Sequence, residues 1–358
     1  MSSRPISSAL RDAGTGSPSV VQVRQVREAD DAADDLRAGV AEGLRPDAAQ
    51  ERAAREAGWR LLAGPTFMDV PEPPDRMAYG DRMAWARRDL EARGPACHGR
   101  RPVVFAHSTY PLSPGQLTEI AALGREFGAL LHIHAAENGT EVATVEVRYG
   151  KRPVGLLDSL GLLGPDLLVA HAVELTGPEI AALARTGRSV AHRPVSNLKL
   201  GCGIAPVPRL LSAGVTVGLG TDGAVGSNTL DVLGAVRQAA PVHKAGGDPT
   251  AVGAERAVCM ATVEGARTLG LGEQPGSLEA GKRADLIVLD LGAPHLHPLH
   301  DPWSTLAYAA YSADVRDTVV EGRVLMRDRV LTTLDEAAVI ADLEAVIADL
   351  EAACEQAP

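Results

Sequence analysis

Four apolar runs near the middle of this 358-residue sequence stop abruptly at an ionisable side chain: LLHIHAAE (130–137), LLVAHAVEL (167–175), SVAHRPVSN (189–197) and VTVGLGTDG (215–223). A strand buried on both faces reads as a continuous apolar run, the signature of a parallel sheet covered by helices. Parallel neighbours need a crossover between them, and helix-forming stretches lie where crossovers are required. Residues 113–128 carry Leu117, Ile120, Ala121 and Phe127 at helical spacing, and a second stretch reaches about residue 160. A third begins at Thr176 with Glu179 three residues on, a capping-box pattern, and a fourth lies near 207–213. PVVFAHS (102–108) and WRLLAGPTFMDV (59–70) add two upstream strands.

Regular alternation of strand and helix predicts βαβ units and an α/β fold, here a (β/α)8 barrel of the TIM type. In such a barrel the C-terminal strand ends share one face, where catalytic groups collect. The sequence divides into a poorly ordered segment (1–35), the barrel (36–272), a small β unit (273–333) and an amphipathic C-terminal helix (334–358). GSLEAGKRADLIVLDL (276–291) and RDTVVEGRVLMRDRVL (316–331) give the β unit its Gly-punctuated, β-branched texture. The helix contains VIADLEA twice in tandem (339–345 and 346–352). Two heptads are too few to stand alone, so docking against the barrel is expected ahead of a coiled coil.

An apolar fraction of 45% fits a globular chain rather than a disordered one. A formal charge of −11 argues against a nucleic-acid surface, which needs clustered Lys and Arg, and leaves a small-molecule substrate open. Cys97, Cys202, Cys259 and Cys354 form no CxxC pair, as suits a reducing compartment. The first twenty residues lack the apolar core of a signal peptide and no stretch reaches membrane-spanning length, so a cytoplasmic protein off the membrane is expected.

The strand ends carry the chemistry. His134 and Glu137 form HxxE, with an imidazole able to ligate a metal and a carboxylate able to reach the same pocket. His132 shares a side of the strand with His134; it reads either as a second ligand or, one pleat deeper, as a hydrogen-bonded core histidine, and its depth favours the core. His171 ends the next strand. His192 precedes Arg193-Pro194 and Ser196-Asn197, a turn-forming set that favours loop structuring over catalysis. Asp222, inside GTDG after an apolar strand, is costly to bury unless it is paired or binds a cation; the alternative is a cap on the next turn. His107 ends PVVFAHS on the same face. His98 reads as surface and His243 as helical and peripheral, while no apolar strand runs into His295, His297 and His300, so no metal role is assigned to them.

From about residue 59 to residue 329 the ordered motifs HIHAAE, AHAVEL, AHRPVSNLKLGCG, GLGTDGAVGSNTLDVL, MATVEGARTLGL (260–271) and GSLEAGKRADLIVLD resemble the amidohydrolase superfamily. The likeness is greatest to the branch of methylthioadenosine/S-adenosylhomocysteine deaminases and s-triazine chlorohydrolase-like enzymes. The resemblance implies a hydrolase acting on carbon–nitrogen bonds, with hydrolytic deamination of an adenosine-type or other N-heteroaromatic amine. It implies one divalent metal, zinc first, held by His134 and Asp222. It makes Glu137 a proton shuttle and His171 the residue that orients the attacking water. Asp222 then doubles as acceptor of the water proton, and His107 and His192 contact substrate.

Members of that family open with strands of a small β-sandwich and a first barrel strand ending in HxH. No histidine precedes His98 here. The sequence therefore reads as shortened at its N-terminus, with the first barrel strand missing and a C-terminal β unit without the N-terminal strands it would pair with. Two ligands predict weak metal binding, since a catalytic zinc site generally uses three protein ligands and water. Three expectations follow: a shortened deaminase, a degenerate scaffold that binds ligand or partner without turnover, or a site completed by self-association.

Overall fold

The computed structural model describes residues 19–21, 48–70, 77–93, 101–187 and 189–355. A short strand, β1 (Ser19–Val21), is followed by β2 (Thr66–Phe67), β3 (Val103–Ser108), β4 (Leu130–Ala135), β5 (Leu167–His171), β6 (Ser189–His192) and β7 (Thr216–Leu219). Strands β2 to β7 form one parallel sheet in chain order. Helices return the chain between them: Pro114–Glu126, Gly139–Tyr149 and Pro153–Ser159, Gly177–Arg185, and Val207–Ser212. Two capping boxes start these crossovers, Ser113 with Gln116 and Thr176 with Glu179. Among the described residues, no pairing joins β2 to β7.

Alternation along the strands sorts side chains onto two faces. Val104, Ile133, Val169, Val190 and Val217 join the helix side chains Leu117, Ile120, Leu157, Leu183 and Leu210 in the main core. Val103, Phe105, Leu130, Leu168 and Ala191 form a second apolar cluster on the opposite face. His107, His132 and His134 share that second face by parity, and the His132 ring meets Phe105 edge-on at 5.3 Å.

The other sheet is antiparallel, in the order β1-β8-β9-β10-β11, with β8 (Leu286–Leu289), β9 (Val315–Val320), β10 (Arg323–Arg327) and β11 (Val330–Leu331). Residues 19–21 were expected within an unstructured segment, and the small unit without an N-terminal strand. Instead the β-branched Val20 and Val21 pair with Val288 and Ile287. The other residues of 1–35 lie outside the described residues, as do Cys97 and His98.

Two further expectations are corrected. The strand read over 59–70 shrinks to Thr66–Phe67, because the chain at Gly64-Pro65 passes so close to Val103 that any side chain at Gly64 would strike its carbonyl. The tandem repeat does lie in a helix, Glu336–Glu355, but Val339, Ile340, Leu343, Val346 and Ile347 are each about half exposed, so they make no tight docking contact with the sheet. No described helix is long and apolar enough to cross a membrane.

Candidate active site at the strand ends

Parallel register brings the C-terminal ends of β3, β4 and β5 side by side: Ser108 lies opposite His134, and Ala135 opposite His171. His134 sits at the centre of the cluster. Its ring centroid is 5.3 Å from His107, 5.6 Å from His132 and 5.2 Å from His171, each pair edge-to-face and buried.

His171 reaches this cluster through its backbone. Strict alternation would turn residue 171 toward the helices with Val169, but a left-handed backbone (φ 68°) at His171, continued at Ala172 (φ 51°), redirects it. Ala136 (φ 55°) and Asp222 (φ 69°) carry the same conformation where β4 and β7 end. Val173 N–H and Glu174 N–H both donate to the Ala136 carbonyl at 2.8 Å, tying the two bent ends together. Non-glycine residues in this region cost energy, and their clustering at one sheet edge marks a site where geometry outweighs local comfort.

His171 is held neutral. Burial, then the positive charge of Arg193, push its pKa down to about 3. Its Nδ1 lies 2.8 Å from Asn197 Oδ1, which fixes the proton on Nδ1 and leaves the Nε2 lone pair as an acceptor. His192 behaves differently. It lies on the helix-facing parity with Val190, and its Nε2 is 3.2 Å from Nε2 of His243, which follows the helix Val232–Val242. Burial lowers both pKa values, that of His243 to about 4, so one neutral ring donates to the other. His243 is thus a buried partner of His192 rather than a peripheral residue, brought in by a helix whose distance in sequence hides the contact. His295, outside the cluster, pairs with Asp314 at 3.0 Å.

Glu137 stands half-buried, three residues past His134. The Cys202 thiol donates to Glu137 Oε1 at 3.7 Å, and burial followed by the Glu137 charge pushes that thiol up to about 11. Glu137 N–H donates to Glu141 Oε2 at 2.8 Å, and Thr109 Oγ1 holds the other oxygen of Glu141 at 2.9 Å. The loop bearing Glu137 is therefore fixed from below.

Asp222 is buried and doubly engaged. Oδ1 accepts from Arg193 Nη1 and Oδ2 from Ser196 Oγ. Burial pulls its pKa up, but the Arg193 charge, the neighbouring His171 and His134 rings and the Ser196 hydrogen bond together outweigh this and hold the carboxyl well below the usual range. Gly226 admits the arrangement: a Cβ there would lie 2.8 Å from Asp222 Oδ2 and 3.0 Å from Ser196 Oγ. Arg193 also faces His132, with Nη2 3.3 Å from its Nε2, so His132 takes part in the core hydrogen bonding that its depth implied.

A model of the amidohydrolase family matches residues 29–325 of the chain. The chain belongs to the amidohydrolase family. It is 44% identical over 285 residues to the 5-methylthioadenosine/S-adenosylhomocysteine deaminase of Syntrophobacter fumaroxidans, covering 79% of this chain and 64% of that protein. It is 41% identical over 258 residues to the 5'-deoxyadenosine deaminase of Methanosarcina mazei, covering 72% of this chain and 59% of the relative. This amidohydrolase chain thus spans less than two thirds of those curated relatives. Among solved structures, an adenosine deaminase from Xanthomonas campestris with bound zinc superposes with a TM-score of 0.81 at 32% identity, covering 89% of this chain and 75% of that one. The zinc complex of an atrazine chlorohydrolase from Arthrobacter aurescens TC1 gives 0.76 at 26% identity, covering 84% and 68%.

Zinc in those neighbours raises the question of whether this amidohydrolase offers a metal its ligands. Among the described residues, no group of three or more His, Cys, Asp or Glu side chains is gathered to hold a metal ion. The donor pair expected from the sequence, His134 and Asp222, is present, but Arg193 holds one Asp222 oxygen and Ser196 the other. As arranged, the described residues do not fit a divalent metal.

Sequence reasoning passed over Arg193, Ser196 and Asn197 as turn formers. A signal was available: Ala191 faces the second cluster and His192 faces away, so Arg193 returns to the face of His132 and His134. An arginine sent to a buried face must find an acid, and Asp222 is that acid.

Proposed function

We propose that this chain hydrolytically deaminates an adenosine-type amine at the edge formed by β3, β4, β5 and the Asp222 loop. The observation that carries the reading is the meeting of a neutral, oriented His171 with His134 and His107, with the partly buried Glu137 three residues past His134. The names of the relatives, adenosine-type deaminases, point to the same chemistry. In the proposed reaction, water oxygen bonds to the amidine carbon while the carbon–amine bond breaks and ammonia leaves. His171 Nε2 accepts a hydrogen bond from the water, and Glu137 passes a proton from it to the leaving nitrogen. Asp222 steadies the edge, and His107 lines the substrate side; His192, expected there from the sequence, is turned to the helix side and engaged by His243.

On this reading the six-stranded sheet is the greater part of a (β/α)8 barrel, and the protein works in the cytoplasm. A divalent metal belongs to the family reading, but no step is assigned to it, because the described residues do not fit one. The Arg193–Asp222 pair favours a second reading, a scaffold that binds the same ligands without turnover. Ammonia release from 5'-methylthioadenosine, S-adenosylhomocysteine and 5'-deoxyadenosine, measured beside calorimetric binding, separates them. The deaminase reading expects ammonia, with Glu137→Gln slowing release by about 100- to 10,000-fold while binding persists. Binding without ammonia selects the scaffold. Neither binding nor ammonia defeats both.

A further inference from the structure

We infer that Arg193 is the resident cation of this site, and that a divalent metal binds Asp222 only by displacing it. The guanidinium leaves the end of β6, donates through Nη1 to Asp222 and faces His132 through Nη2 at 3.3 Å, so it spans from the loop after β7 to the middle of β4. Its side chain is 1% exposed. Arginine stays charged at any working pH, and its planar fork matches a carboxylate. Around it stand imidazoles rather than further acids: His132 faces it through Nε2, and His134 and His171 stack edge-to-face beyond. Asp222 is therefore its counter-charge in this cluster, and the pair is electrically complete without a dication.

A metal at Asp222 would need an oxygen that Arg193 or Ser196 now holds. It would also place two positive charges beside a fixed third, a repulsion that low-dielectric surroundings amplify. Arg193 is turned to Asp222 and His132 and takes no part in the reaction proposed above. It acts as a positioning residue that sets the orientation of Asp222 and the charge of the site. This inference concerns ion occupancy, so its test does not depend on turnover and survives failure of the deaminase reading.

The metal-free full chain and its Arg193→Gln and Arg193→Lys variants are titrated with Co2+, reading the visible absorption of the ligated ion and the heat of binding. Gln keeps length and a donor but removes the charge, so Arg193→Gln should bind Co2+ at least about tenfold more tightly than wild type. Lys keeps the charge and should bind as weakly as wild type. Adding Asp222→Asn to Arg193→Gln should abolish the gain. One tightly held Co2+ per wild-type chain, no gain in the Gln variant, or an equal gain in the Lys variant would overturn the inference. Should the Gln variant lose its native circular dichroism, the wild-type melt decides: excess zinc leaves the melting temperature unchanged if Arg193 holds the site, and a rise of several degrees refutes it.

Discussion

Two buried arginine–aspartate pairs among the described residues do different work. Arg60, just after the helix Ala48–Ala57, pairs with Asp285 ahead of β8, joining the parallel-sheet region to the small sheet. Its network is closed by backbone and charge. Glu321 N–H donates to Asp285 Oδ1 at 2.8 Å, and Glu321 Oε1 accepts from both Arg60 at 2.8 Å and Arg283 at 2.7 Å. Burial pulls the Arg60 pKa down, but its hydrogen bonds to Asp285 and Glu321 outweigh that and raise it. Two cations face two anions, and the contacts of Arg60 fix the parallel-sheet region against the small sheet. Arg193–Asp222 is as deeply buried but ends among buried histidines at the strand ends. The first pair holds architecture together. The second sets the charge of a site, and its removal should be felt in ligation before it is felt in folding.

The comparison breaks most visibly at the clamp. Asp285→Ala takes the buried acid from Arg60, leaving it Glu321 alone, and should cost about 3–5 kcal/mol of unfolding free energy in a urea titration, with Co2+ affinity unchanged. A loss under 1 kcal/mol, or an altered Co2+ affinity, would erase the distinction between the pairs. Gly226→Ala probes the other pair without changing a charge. Its Cβ meets Asp222 and Ser196 inside contact distance, so about 1–3 kcal/mol should be lost as Asp222 is pushed aside. A thermal melt equal to wild type would mean that Asp222 has room to move. The smallest effect is a pH slope. His171 and His243 have folded pKa values of about 3 and about 4, below the unfolded value of about 6.5. Stability is full above pH 6.5 and falls as pH drops from there toward those folded values, because the unfolded chain takes up protons that the folded one refuses. Each histidine contributes at most about 1.4 kcal/mol per pH unit. Urea titrations between pH 7 and 5 in His243→Asn should show a shallower slope than wild type, and an unchanged slope would contradict the buried neutral pair.

What the sequence made legible was local. The runs ending at His134, His171 and Asp222 are strands or strand ends, and Thr176 with Glu179 starts a helix as its spacing required. What escaped is pairing at a distance. Nothing within ten residues of Arg193 announces an acid 29 positions on, and nothing near His192 announces His243 at 51. His171 reached the cluster against the alternation rule, because a backbone twist, which composition does not display, overrode it. The apolar stripe of the C-terminal repeat predicted burial, yet amphipathicity specifies only that a face wants a partner, and within this chain that face stays half exposed.

The left-handed residues at Ala136, His171, Ala172 and Asp222 also limit what this edge can become. A β-branched side chain is strained there, whereas Gly, Asn, Asp and His tolerate the conformation. Any attempt to re-purpose the edge, by selection or by design, thus draws from a short menu rich in ligating and acid–base groups. The backbone screens candidates before chemistry does, and what it lets through is already suited to handling protons and ions.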